Sequence, residues 1–589
     1  MQATGQSTLQ LQNASLLAPF LHEAQTARLF PDSKTLVDMP LAAPPKEVAA
    51  AYASLRLPDN EEQRRAVLQQ FCRSWMLPVE SDLRAVLPQS AAAPPPGWLP
   101  HISDPGIRQW AEALRRMWGV LCREATPDVL LHPDRHTLLL PARPCPFVIP
   151  GARFREQYYW DSLWSLRGML VCGLVELAQG VVSNMLGLVE VHGFVPNGMR
   201  TYYLNRSQPP LLSQMVAALH AATPDDSQLL LRALPALLRE HSYWSTAPKG
   251  VVLRASDGQT HQLSRYWADW SQPRPESYRE DVSTAAGLPP AGAAALWREL
   301  ASAAESGWDF SSRWLADGVS LNSCRTTQVV PADLNAFLYQ MECNIAAFAS
   351  ELGQAELAAS FEEHAQRRLA AMQALMWDVA GGQWRDLVLA AHGDTQTDAA
   401  AEGTAVATGA AAPAEITATA AATAAAANET CSAVTSFQQS TVVAASNWVP
   451  LYCGCTPAGS PDAELAVTSL QASGLLQAAG VAVSLNDTGQ QWDWPNAWPP
   501  ITCMLVEGCE AYGGMAGSKL AAALAQQYLA TAHSAWGQSG RNYEKFDSRR
   551  QGAAGGGGEY ECVDGFGWTN GAALVLLQRY GWRPAKELP

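Results

Sequence analysis

The segment DPGIRQWAEALRRMWGVLCREA, residues 104–125, sets the architectural theme of the chain. Asp104 stands where a helix N-cap accepts the first free backbone N–H groups, and Pro105 follows at the position where a missing N–H costs nothing. Ile107, Trp110, Leu114, Met117, Trp118 and Leu121 then recur with helical spacing, so one face of a helix is apolar. The same period returns at Leu357, Phe361, Leu369, Met372 and Met376, and again at Leu520, Leu524, Tyr528 and Trp536. Alternating runs are few: Gly250–Arg254 and Thr441–Ala444 read as short, isolated β-like pieces. These patterns predict a mainly helical, all-α architecture whose Gly-, Pro- and Asn-rich connections carry the chemistry.

Composition narrows the function. The net charge is −15 and Lys and Arg are scattered, so no basic stripe invites a nucleic acid. The 21 tryptophans stand out because many adjoin Arg, Asp or Glu, a setting that suits sugar faces as well as a large core. Twelve cysteines lack C-x-x-C pairs or a nearby His set, which argues against zinc, and a domain this large can bury enough surface without a disulfide framework; buried free thiols are expected. No metal and no organic cofactor is anticipated. The N-terminus has neither a basic n-region nor an apolar h-region, and no stretch approaches a membrane span. A soluble protein is expected, intracellular by default, although sequons at Asn13, Asn205, Asn428 and Asn486 would permit glycosylation after export. No motif speaks to oligomeric state. Residues 1–100, rich in Pro turns, are expected to wrap the main body of residues 101–589. An Ala/Thr-rich run at about 393–436 reads as a disordered insertion.

Two carboxyl groups have unusual neighbours. In GWDFSSRW, residues 307–314, Asp309 lies between Trp308 and Phe310, whose rings would desolvate it and favour its protonated form. The alternative is a buried Asp capping a helix that begins at Ser311–Ser312. In NYEKFD, residues 542–547, Lys545 beside Glu544 would favour a carboxylate able to take a proton from water; the alternative is an ordinary surface Glu–Lys pair. Directly downstream, GGGGEYECVDGFGWTNG, residues 555–571, joins four glycines able to form a closing loop to Glu559 and a dense aromatic, hydrogen-bonding segment. Three more stretches gather Arg with aromatic or amide groups: PGARFREQYYWDSLW (150–164), PNGMRTYYLNRSQPP (196–210) and RPESYRED (274–281). Arg forks and carboxylates bind vicinal hydroxyls while rings cover the apolar face of a sugar, although any one stretch could be an internal salt-bridge network.

Together these segments resemble the trehalases of glycoside hydrolase family 37. PGARFREQYYWDSLW is similar to that family's first signature and QWDWPNAWPP, residues 491–500, to its second; HGFVPNGMRTYYLNRSQPP, RPESYRED, AESGWDFSSRW, RTTQVVPADLN and GGGGEYECVDGFGWTNG follow the family's order. The resemblance covers roughly residues 28 to 575. It implies an (α/α)6 barrel with the site at one end, and hydrolysis of trehalose with inversion, Asp309 as acid and Glu544 as base. It further implies substrate contacts at Arg153, Trp160, Asp161, Asn197, Arg206, Ser207, Gln208, Arg274, Pro275, Glu276, Gly307 and Glu559. A trehalose-binding sensor without activity, or a hydrolase of another α-glucoside, are the rival readings. Ala497 and Pro499 depart from the second signature, and Phe546 replaces a Tyr after the Glu-Lys pair.

Overall fold

The helix announced by Asp104 runs from Pro105 to Leu121 in the computed structural model, which describes residues 17–87, 95–390 and 433–583. The Asp104 carboxylate accepts from the N–H groups of Gly106 and Ile107 at 2.8 and 3.1 Å, and Ile107, Trp110, Leu114, Trp118 and Leu121 are buried. The helix packs against two others, Gly514–Ser539 and Gly567–Tyr580.

That packing is one sector of a closed ring. Six helices, Asp161–Val171, Leu212–Ala222, Ala332–Glu351, Val449–Tyr452, Pro499–Tyr512 and Gly567–Tyr580, each touch the next, and the last returns to the first. Between them in the chain come six outer helices, Pro105–Leu121, Val175–His192, Ser227–Ser245, Ala355–Leu375, Pro461–Ala472 and Gly514–Ser539. Inner and outer helices alternate along the sequence, which is the (α/α)6 barrel. The outer helices Pro105–Leu121, Ser227–Ser245 and Ala355–Leu375 bury one face and leave the other wet, as an amphipathic period requires, whereas Val175–His192 is buried along nearly all of its length. The inner helix Asp161–Val171 buries Asp161, Ser162, Leu163, Trp164, Ser165, Leu166, Gly168 and Met169, nearly its whole circumference.

One hydrophobic cluster extends from Leu83 to Leu577. A second, smaller cluster is made by Phe20, Leu36, Val48, Leu68, Phe71 and neighbouring residues of the N-terminal segment. Strands are short. Gly250–Arg254 forms a hairpin with Thr260–Ser264. Thr441–Ala444, by contrast, is not a strand: it leads into a 3-10 turn at Ala445–Trp448, and only Ala444 makes an isolated bridge, to Ser484. Eleven cysteines are described, all free, and eight of them are buried. Among the described residues no helix is long and apolar enough to cross a membrane. The Ala/Thr-rich run lies outside the described residues except for positions 433–436.

Ala497 and Pro499 fit where they fall. Ala497 pairs with Phe546 in a two-residue antiparallel ladder, and Pro499 opens the helix Pro499–Tyr512 at the position where proline is pre-organised.

Candidate active site

The helix Pro290–Glu305 ends at Ser306, and the chain turns at Gly307 with φ of +73°. A side chain there would put its Cβ 2.8 Å from the Trp160 ring, so only glycine lets the turn and Trp160 coexist. Beyond the turn Trp308 and Phe310 are both 1% exposed, while Asp309 between them faces an open cavity. The helix-capping alternative for Asp309 fails, because other groups take that work. Ser311 Oγ accepts from Arg313 N, and Asp493 accepts from Ser311 Oγ, Ser312 N and Ser312 Oγ at 3.0, 2.7 and 2.8 Å. Trp308 is clamped from the other side by Arg313, held 4.8 Å from its ring by pairs to Asp333 and Asp386. Burial pushes the Asp309 carboxyl up to about 6, with Arg274 and Arg206 pulling the other way.

Glu544 reaches the same cavity from the opposite end of the chain. Its N–H donates to Val563 O at 2.8 Å and its carbonyl accepts from Trp568 Nε1 at 2.9 Å, so the backbone is fixed on both sides. Two donors face its carboxylate: Tyr560 OH at 2.9 Å and Lys545 Nζ at 3.4 Å. The Glu–Lys neighbours are not a surface pair, since their side chains are 1% and 0% exposed. Lys545 sits 5.0 and 5.2 Å from the rings of Trp498 and Tyr560 and donates to Gln491 Oε1 at 2.8 Å. Gln491 in turn donates to the Asp309 carbonyl at 2.6 Å, which ties the segments of the two carboxylates together through one side chain.

The remaining walls are ionic. Arg206 donates to Asn197 Oδ1 at 2.9 Å and to Glu276 at 2.6 Å. Although burial opposes it, Arg206 and Arg274 hold the Glu276 carboxyl below the usual carboxylate range. Arg274 is shared between Asp281 at 2.6 Å and Glu559 at 2.8 Å, and Ser277 Oγ donates to Glu559 at 3.0 Å. Glu559 thus ties the glycine-rich loop to the RPESYRED segment, while Gly556 N donates to Asn496 Oδ1 and Gly558 N to Gly489 O. Burial lifts Glu559 to about 7; Arg274 lowers it, and the charges of Asp281 and Asp309 raise it. Asp161, at the start of its inner helix, is pushed well up by burial, with Glu544 and Asp309 adding to the shift. Gln208 accepts from Trp160 N at 3.1 Å. In each of the three Arg-rich stretches, a guanidinium that lines the cavity is itself fixed by an internal carboxylate: Arg153 by Asp32, Arg206 by Glu276 and Arg274 by Asp281.

Of the fourteen residues singled out from sequence, Arg153, Trp160, Asp161, Asn197, Arg206, Gln208, Arg274, Glu276, Gly307, Asp309, Glu544 and Glu559 line this one cavity. Ser207 and Pro275 stand behind the wall. Ser207 donates to Glu305 through its N–H and to Val195 O through Oγ, and Pro275 opens the turn that presents Glu276 and Ser277. Aromatic rings that the candidate residues do not include complete the lining. Trp492 and Trp498 stack at 4.0 Å, Trp308 lies 4.9 Å behind Trp492, and Tyr560 and Trp568 complete the wall. Their signal was present in QWDWPNAWPP and in the segment after the glycines, as aromatic rings interleaved with amides.

The family model for Trehalase matches residues 28–581. A probable trehalase from Oryza sativa subsp. japonica is 38% identical over 567 residues, covering 95% of this chain and 93% of that protein. The trehalase of Oryctolagus cuniculus is 37% identical, covering 96% and 89%. Among solved structures, neutral trehalase Nth1 from Saccharomyces cerevisiae shares the fold with a TM-score of 0.55 at 23% identity, over 76% of this chain and 78% of that one. With this match over nearly its whole length, and with the helical ring and carboxylate-rich cavity already described, the chain belongs to the trehalase family of glycoside hydrolases.

Proposed function

We propose that the protein hydrolyses α,α-trehalose to two glucose molecules with inversion at one anomeric carbon. Asp309 donates its proton to the bridging oxygen, and Glu544 takes a proton from the water that attacks the anomeric carbon from the opposite face. One bond to the bridging oxygen breaks, one carbon–oxygen bond to water forms, and the two carboxyl groups exchange protonation states before solvent resets them. The observation that carries this reading is the unlike setting of the two carboxyls at one cavity. Asp309 is lifted by burial towards the protonated form an acid needs, whereas Glu544 faces a lysine and a tyrosine hydroxyl. Arg206, Arg274, Glu276 and Asp161 supply the fixed donors and acceptors that sugar hydroxyls require, and the tryptophan rings cover the apolar sugar faces. The relatives from Oryza sativa subsp. japonica and Oryctolagus cuniculus, a probable trehalase and a trehalase, support the choice of disaccharide.

The test is proton NMR of trehalose, maltose and sucrose during turnover, read before the anomers equilibrate. Trehalose alone should be consumed, with equal first release of α- and β-glucose. Release of α-glucose only would overturn inversion. A wild type that binds trehalose and leaves it intact would make the protein a sensor, and faster turnover of maltose or sucrose would make it another glucosidase. Asp309→Asn and Glu544→Gln should each lower kcat by about 10³-fold or more while trehalose still binds.

A further inference from the structure

The cavity has a support that no signature segment contains. Arg153 lines the site, and its guanidinium is docked on a carboxylate from the N-terminal segment: Nε donates to Asp32 Oδ2 at 2.6 Å and Nη2 to Asp32 Oδ1 at 3.0 Å. This two-point fork fixes the plane of the guanidinium and leaves Nη1 outside the pair. The Arg153 Cζ lies 4.3 Å from the ring centre of Tyr560, whose hydroxyl donates to Glu544. An ordered path of contact thus runs from Asp32 through Arg153 and Tyr560 to the carboxylate proposed as base.

Asp32 is itself held still. It caps the helix Ser33–Val37, accepting from Lys34 N at 2.9 Å. On one side Arg279 donates to Phe30 O, Pro31 O and Ser33 Oγ, and Ser33 Oγ donates to Glu280, which anchors the segment to RPESYRED. On the other, buried Lys34 pairs with Asp38 at 2.7 Å and Glu156 at 2.8 Å, which anchors it to the stretch that carries Arg153. The N-terminal segment therefore bridges two walls of the cavity, and Asp32 pairs with a lining group.

We propose that Asp32 is a positioning residue of the trehalose site, orienting Arg153 so that its Nη1 meets a sugar hydroxyl and its guanidinium supports Tyr560. The Asp32 and Arg153 side chains are 30% and 15% exposed, so the pair is largely shielded from solvent. Its contribution to the site is to binding, where a pre-oriented fork saves the ordering penalty at each encounter. The inference rests on trehalose being the substrate and Asp309 the acid.

The experiment is a double-mutant cycle on trehalose affinity, measured by titration calorimetry in the Asp309→Asn background, where no turnover is expected. Asp32→Asn keeps the helix cap and removes the charge, and Asp32→Ser does the same with a smaller group. Each should weaken trehalose binding about 10-fold when Arg153 is present and less than about 2-fold when Arg153→Ala is already in place. The coupling to Arg153, not the size of any fall in Tm, separates positioning from a purely structural role. An equal loss in both backgrounds, or unchanged affinity in the Arg153 background, overturns the proposal. Heat of turnover in the Asp309→Asn protein would overturn the acid assignment instead, and the cycle is then read on KM with the same criteria.

Discussion

At Asp309 function and stability pull against each other. Lifting a carboxyl from its ordinary range to about 6 corresponds to a penalty of at most about 3 kcal/mol at neutral pH, reduced by solvent in the cavity. The folded state binds this proton more tightly than the unfolded chain, so the penalty is absent below about pH 4, grows as pH rises towards 6 and is constant above. Asp309→Asn should therefore be more stable than wild type by about 1–2 kcal/mol at pH 7.5 and equal to it at pH 4, read from urea unfolding at both values. Activity has the corresponding sign. The acid must be protonated, so log kcat/KM should fall with unit slope above an apparent pKa near 6. A profile flat from pH 5 to 8 would contradict the assignment. This residue was legible from its two flanking rings, because rings adjacent in sequence to a turn residue are adjacent in space. The setting of Glu544 was not: its second donor, Tyr560, is sixteen positions away, and burial turned what reads as a surface Glu–Lys pair into an enclosed one. Gln491 escaped notice because its role depends on two contacts distant in sequence, to Asp309 and Lys545.

Among the elements, the helices with one wet face were the readable ones. Pro105–Leu121 carries its apolar stripe and its cap in the sequence, because solvent on one side forces polar residues there. Inner helices have no such contrast. Gly567–Tyr580 buries all of Gly567 to Leu574, so no period survives, and its sequence reads as a motif, not as a helix. What its residues encode instead is close approach. At Gly571 a Cβ would lie 2.1 Å from the carbonyl oxygen of Trp164 and 2.8 Å from its carbon, both backbone atoms of the facing inner helix Asp161–Val171. Backbone cannot yield as a side-chain tip can. Gly571→Ala should therefore force these two helices apart, destabilise the fold by about 3 kcal/mol or more, and displace Trp160 and Asp161 at the head of the facing helix. Differential scanning calorimetry measures the first effect and KM for trehalose the second; a variant with wild-type Tm would show that the ring closes more loosely than this contact requires.

Across the whole molecule, the ring imposes a constraint on what interrupts it. Residues 391–432 fall in sequence between an outer and an inner helix, and the described segments that flank them lie side by side. Leu387–Leu389 pairs antiparallel with Phe437–Gln439, Ala390 N donates to Ser436 O at 3.0 Å, and Val434 is tied to the hairpin strand Gly250–Arg254 through Val252 O and Arg254 N. A chain whose ends are already adjacent gains little from the length between them, since closure entropy grows only by about 0.6 kcal/mol for each doubling. Replacing residues 391–432 with a six-residue Gly/Ser linker, long enough to span up to about 20 Å, should leave kcat and KM within about twofold of wild type and raise stability by no more than about 2 kcal/mol. Side-by-side kinetics and calorimetry on the two proteins decide it. Because the strand pairing fixes both exits independently of the intervening residues, a tenfold loss of kcat/KM in the shortened protein, with its Tm intact, would mean that the removed segment reaches the cavity and contributes to the site.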